Sequence, residues 1–75
     1  MNLFAILLAG KTRWPVVVAC RDVEEGLLLG SKHPSEPACI EISRPGASGD
    51  QQDELVARFR KVSIAGEPIW KKVRE

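Results

Sequence analysis

Leu3-Phe4-Ala5-Ile6-Leu7-Leu8-Ala9-Gly10-Lys11-Thr12-Arg13-Trp14-Pro15-Val16-Val17-Val18-Ala19-Cys20 is the most hydrophobic part of the chain. Its first seven residues are apolar throughout. Gly10–Arg13 interrupt the run with small and polar residues suited to a turn. Residues 14–20 are again apolar and rich in β-branched side chains, which suit a pleated strand. The pattern predicts two strands joined as a hairpin by a four-residue loop. In the first strand Leu3, Ala5, Leu7 and Ala9 point one way and Phe4, Ile6 and Leu8 the other. A strand apolar on both faces is expected in the middle of a sheet. Pro15 has no N–H to donate, so it suits the first residues of an edge strand.

Working outward, Asp22 with Glu25 three residues later resembles a capping box and starts a short helix over residues 23–29. Val23 and Leu27 would face the core, with Leu28 beside them. Gly30 is placed at the C′ position that ends the helix. Gly26 inside it costs about 1 kcal/mol relative to Ala. That weakness keeps open a turn at residues 24–26 followed by a strand at residues 27–31. His33–Pro37 is a loop, because it holds two prolines. Residues 38–43 alternate, with Ala38, Ile40 and Ile42 inward and Glu41 and Ser43 outward, as in a half-exposed strand. Residues 44–49 form a second loop.

From Asp50 the pattern predicts a helix ending near Lys61 or Val62. Ser48 or Asp50 would cap it, and Leu55, Val56, Phe59 and Val62 would form its buried stripe. Ile64 falls on the wrong side of such a helix. Residues 67–73 fit a short helix or a short strand equally. The expectation is one α+β domain of order β-β-α-β-α. Its three-stranded sheet has order 2-1-3, with the first strand central and two helices on one face. A short C-terminal helix or strand completes it.

Size and composition bound the function. The chain has 75 residues, 44% hydrophobic and 28% charged, which is the composition of a single small folded domain. Its formal net charge of +1 gives no general attraction for polyanions. Cys20 and Cys39 lie in apolar runs with no further cysteine to build a disulfide scaffold, so free thiols in a reducing cytoplasm are expected, with a single Cys20–Cys39 bridge as the lesser alternative. Residues 3–9 resemble the apolar part of a signal peptide, but no Lys or Arg precedes them. No run approaches the roughly 18 apolar residues of a membrane span.

Chemistry-bearing motifs are weak. Gly10-Lys11-Thr12 resembles the end of a phosphate-binding loop, but Ala5 stands where that loop needs glycine, and a strand follows where it needs a helix. His33 is the only histidine, between Lys32 and Pro34 in a loop, and reads as solvated. Asp22, Glu24 and Glu25, and Asp50, Asp53 and Glu54, are explained as acids at helix starts. No catalytic residue, metal site, cofactor or small-molecule substrate is indicated, so a non-enzymatic protein is expected.

Two binding roles are left. The first is a protein-binding module: a homodimer, an adaptor or an inhibitor of a larger protein, of a size found among phage-encoded inhibitors. Its docking residues would be Phe4, Ile6, Trp14 and Trp70, because two helices on one face leave apolar side chains of the first strand on the other. The second is a nucleic-acid-binding module. Arg58, Arg60, Lys61, Lys71, Lys72 and Arg74 put six of the eleven basic residues in the last eighteen positions, with Trp70 among them.

Overall fold

The computed structural model describes residues 2–46 and 52–73. The elements are β1 (Leu3–Leu8), β2 (Val16–Cys20), α1 (Val23–Ser31), β3 (Cys39–Arg44), β4 (Glu54–Ile64) and β5 (Glu67–Lys72). The strands form one sheet of order β2-β1-β3-β4-β5, and every neighbouring pair is antiparallel. α1 packs across one face, touching β1, β2, β3 and, at its margin, β4.

This corrects the expected three-stranded sheet with two helices. Residues 54–64 are a strand of eleven residues, not a helix, and residues 67–72 are its hairpin partner. The expected helix caps Ser48 and Asp50 lie outside the described residues. The register explains the strand. Ala57 stands opposite Ile42 and Phe59 opposite Ile40, so the four side chains share one inner face, while Arg58 and Arg60 alternate onto the other. A helix over the same residues would leave Ile40 and Ile42 at a sheet edge. β4 then turns sharply through Ala65 and Gly66, both with positive φ (53° and 83°), as in the two-residue turns that match strand twist. Pro68 is tolerated because β5 is an edge strand. β3, and not β1, is the central strand, and its side away from α1 is uncovered, as its alternation predicts.

The N-terminal hairpin and β3 lie in the order β2-β1-β3, with β1 antiparallel to both, so β2 and β3 run parallel. α1 makes the crossover between them. Asp22 caps it, accepting the Glu25 N–H at 2.7 Å. Glu25 reaches back to accept the Arg21 N–H at 3.0 Å and also pairs with the Arg21 guanidinium. Gly30 is not the residue that ends this helix. Gly26 and Gly30 are both buried within it, one turn apart, and form the flat side by which it approaches the sheet. A Cβ on Gly26 would lie 2.9 Å from Ile42 Cδ1, and one on Gly30 would lie 2.5 Å from Ile40 Cδ1. Leu28 faces solvent, not the core.

The core lies between α1 and the sheet. Leu3, Ala5, Leu7, Cys20, Ile40, Ile42, Ala57 and Phe59 are buried there, with Val16, Val18, Val23, Leu27 and Trp70 packed around them. Each fully buried Leu, Ile or Phe side chain contributes about 1.5–3 kcal/mol. The His33–Ala38 loop folds against the tip of the first hairpin. Lys11 donates its N–H to the Ser35 carbonyl at 2.6 Å, and its ammonium lies 3.1 Å from Glu36. A Cβ on Gly10 would collide with the Ser35 carbonyl, so the glycine serves this close approach and no phosphate cradle.

Candidate functional site: the open face of the sheet

The face of the sheet opposite α1 carries no packed element among the described residues. Strand alternation fixes what it displays. β1 contributes Phe4, Ile6 and Leu8, each half-buried by its lateral neighbours. β2 adds Val17 and Ala19, both exposed, with Val17 at 63%. The register places Val17 beside Ile6 and Ala19 beside Phe4, which makes one continuous apolar patch over the first two strands. On the other side of β1, Glu41 lies beside Ile6 and Ser43 beside Phe4.

The same face changes character toward β4 and β5. Arg58 stands opposite Glu41, and its Nε donates to Glu41 Oε2 at 2.8 Å. Arg60 stands opposite Lys71 on β5, and both are exposed. Two like charges directly opposite one another in a sheet destabilise it slightly. Beyond the end of β3, residues 62–69 continue as a two-stranded arm. Val62 lies opposite Ile69, and Ile64 is 55% exposed near the tip. The face thus runs from apolar at β1 and β2 to basic at β4 and β5.

The residues singled out in the sequence are distributed as follows. Phe4 and Ile6 share the open face. Trp14 is 72% exposed in the loop before β2, with the Arg13 guanidinium 5.5 Å from its ring. Trp70 lies on the opposite side of the sheet, against the core, with the Lys61 ammonium 5.4 Å from its ring. The basic set is divided. Arg58, Arg60 and Lys71 are on the open face, Lys61 and Lys72 alternate onto the helix side, and Arg74 lies outside the described residues. Leu8, Val17 and Ala19 were missed as site residues. The alternation of the two N-terminal strands would have found them.

No family model, no curated protein and no solved structure matches this chain. The reading of the site therefore rests on its own geometry.

Both cysteines are free. Cys20 faces α1, and Cys39 is on the open face two strands away and at the other end of β1, opposite Leu8 where Cys20 is opposite Leu3, which is beyond disulfide reach. Burial pushes the Cys20 thiol pKa up, and the nearby Glu25 and Asp22 carboxylates push it the same way. Burial and Glu41 raise that of Cys39, with Arg58 and Arg60 opposing. An attacking thiolate needs the reverse shift. His33 Nδ1 accepts the Ser35 N–H at 3.1 Å and lies 2.9 Å from the Ser35 hydroxyl, so the ring fixes its own loop. Among the described residues no group of three or more His, Cys, Asp or Glu is placed to hold a metal ion. No helix among them is long and apolar enough to cross a membrane.

Proposed function

We propose that this chain is a small, non-enzymatic protein-binding module of the cytoplasm that docks its partner on the open face of the sheet. The observation that carries the reading is the bare apolar patch of Phe4, Ile6, Leu8, Val17 and Ala19 opposite the single helix. An uncovered apolar patch on one side of a sheet is the kind of surface that monomers seldom leave unused. The paired cations Arg60 and Lys71, across β3 on the same face, favour a partner that sets acidic groups to one side of an apolar centre.

Variants on the two sides of the molecule test this. Phe4→Lys with Ile6→Lys should abolish partner capture from the source cells in a cross-linking and mass-spectrometry comparison. Leu28→Lys, on the outer side of α1, should leave it intact. Circular dichroism checks that both variants fold. Equal capture by all three proteins would refute the docking face.

A nucleic-acid interface is the second reading, favoured by Arg60 and Lys71 lying side by side on the same face as Phe4 and Ile6, across β3 from β1. It predicts single-strand binding at low salt that weakens as salt rises. Its cations are fewer than the sequence promised, because alternation sends Lys61 and Lys72 to the other side.

A further inference from the structure

The two edges of the sheet are not equivalent. β5 is guarded: Pro68 interrupts its donors, and Glu67, Lys71 and Lys72 put charge along it. β2 ends the other side of the sheet as Val16-Val17-Val18-Ala19-Cys20, with no proline, no charge and no glycine. Val17 and Trp14 are the two most exposed large apolar side chains, and both belong to this edge or its approach. A β-branched edge without guards presents free backbone donors and acceptors to any strand that meets it.

We infer that this edge is a self-pairing surface, and that two copies of the chain join antiparallel through β2 into one ten-stranded sheet. The strand is self-complementary about Val18. With the two-fold axis there, Val18 faces its own copy, Val17 faces Ala19 and Val16 faces Cys20, so all five residues pair. No like charges meet within the strand. Continued past the strand, the same register sets Pro15 of one copy opposite Arg21 of the other and Trp14 opposite Asp22, so no like charges face each other there. A two-fold axis perpendicular to the sheet keeps both open faces on one side. The two patches of Phe4, Ile6, Val17 and Ala19 then merge into one apolar strip with Arg60 and Lys71 at both ends. A pairing of five residues is small beside the roughly 1,200–2,000 Å² of stable interfaces, so the dimer forms at micromolar concentration and not below.

Sedimentation equilibrium tests the inference. The purified chain should weigh twice its 8.3 kDa at about 100 μM and dissociate on dilution. Val17→Lys with Ala19→Lys places lysines opposite lysines across the two-fold axis and should weaken the dimer at least about tenfold at low salt. Val17→Glu with Ala19→Glu should do the same. An equimolar mixture of the two variants should restore a dimer, because each lysine then meets a glutamate. That rescue separates strand pairing from a folding defect, since both positions are solvent-exposed. Ile6→Lys should leave the dimer intact, as residue 6 lies one strand inside and faces Glu41. A monomer at about 300 μM, no rescue on mixing, or loss of the dimer in Ile6→Lys would each overturn the inference. Partner capture on the open face is scored in a separate experiment, so either reading can fail alone.

Discussion

Gly30→Ala should destabilise this protein, although alanine is the better helix former. In an unobstructed helix interior the exchange gains about 1 kcal/mol. Here the new methyl would lie 2.5 Å from Ile40 Cδ1, 2.9 Å from Leu7 Cδ2 and 3.1 Å from Ile40 Cγ1. Ordinary carbon contacts are about 3.5–4.0 Å, so the helix or Ile40 must move by roughly 1 Å. Neither neighbour has slack: Ile40 is 0% exposed and Leu7 2%. Overpacking of this kind costs about 1–3 kcal/mol, and the worst contact is at the upper end of that range. The net loss should be about 1–2 kcal/mol, or a fall in Tm of roughly 4–16 °C for a domain of this size. At Gly26 the nearest atom is 2.9 Å away, so the two effects should nearly cancel.

Urea denaturation followed by far-ultraviolet circular dichroism gives the order: wild type and Gly26→Ala close together, Gly30→Ala below both. A double-mutant cycle isolates the cause. Ile40→Val removes the Cδ1 atom that the new methyl would strike and alone costs about 0.5–1.5 kcal/mol. Combined with Gly30→Ala, the total loss should fall short of the sum by about 1 kcal/mol. Strict additivity, or a Gly30→Ala protein more stable than wild type, would mean that α1 does not lie on the sheet at this closeness.

Ala65 holds φ 53° in the β4–β5 turn, a conformation that costs alanine about 1 kcal/mol, so Ala65→Asn or Ala65→Gly should raise stability by roughly 0.5–1 kcal/mol in the same assay. Glu41→Gln weakens the hydrogen bond that Arg58 donates at 2.8 Å and should lose about 1 kcal/mol, less in high salt, since both partners keep partial solvent access. The raised pKa of Cys20 and Cys39 favours their neutral thiols in the fold. The stability this gives is fully present below the unfolded-state thiol pKa of about 8.5 and is lost as pH rises through the folded value. Stability should therefore drop above about pH 8.5, and a Cys20→Ala, Cys39→Ala protein should show a flatter profile. Thiol reagents should label the native wild type slowly until urea is added.

The first half of the fold was legible because its signals were unopposed. The runs at residues 3–8 and 16–20 have no helical periodicity, and Asp22 with Glu25 marks a helix start by chemistry alone. Gly26 and Gly30 were legible only in part. Read singly, one is a propensity cost and the other a terminator. Their four-residue spacing on one helix face, which lets the helix lie flat, was the informative feature. Residues 54–64 failed for a physical reason. Glu, Leu, Ala, Arg and Lys favour helix, and Leu55, Val56, Phe59 and Val62 happen to fall on one helical stripe. Pairing with β3 outweighs that local preference. Two signals pointed to it: Ile64 off the stripe but in alternation with Val62, and Ala65-Gly66 as a two-residue turn between matching strands.

The correction at β4 changes where function is sought. With a second helix, the basic residues 58, 60 and 61 would have ringed a helix end, where cations are explained by the dipole alone. In a strand that explanation is gone. Alternation places Arg58 and Arg60 on the uncovered side and Lys61 on the covered one, where it lies over Trp70. Arg58 is answered by Glu41 across the sheet. Arg60 faces Lys71, a pairing that works against the sheet and is relieved by any acidic group brought to that border. Residues 54–64 and 67–72 add two strands to the sheet. The open face therefore spans five strands instead of three, and its apolar and basic halves are held in fixed register by β3. A partner that matched only the greasy half would leave Arg60 and Lys71 repelling, and one that matched only the charges would leave Phe4, Ile6 and Val17 in water. On the proposed reading a partner would carry both features, with its acidic group two to four strand spacings from its apolar contacts.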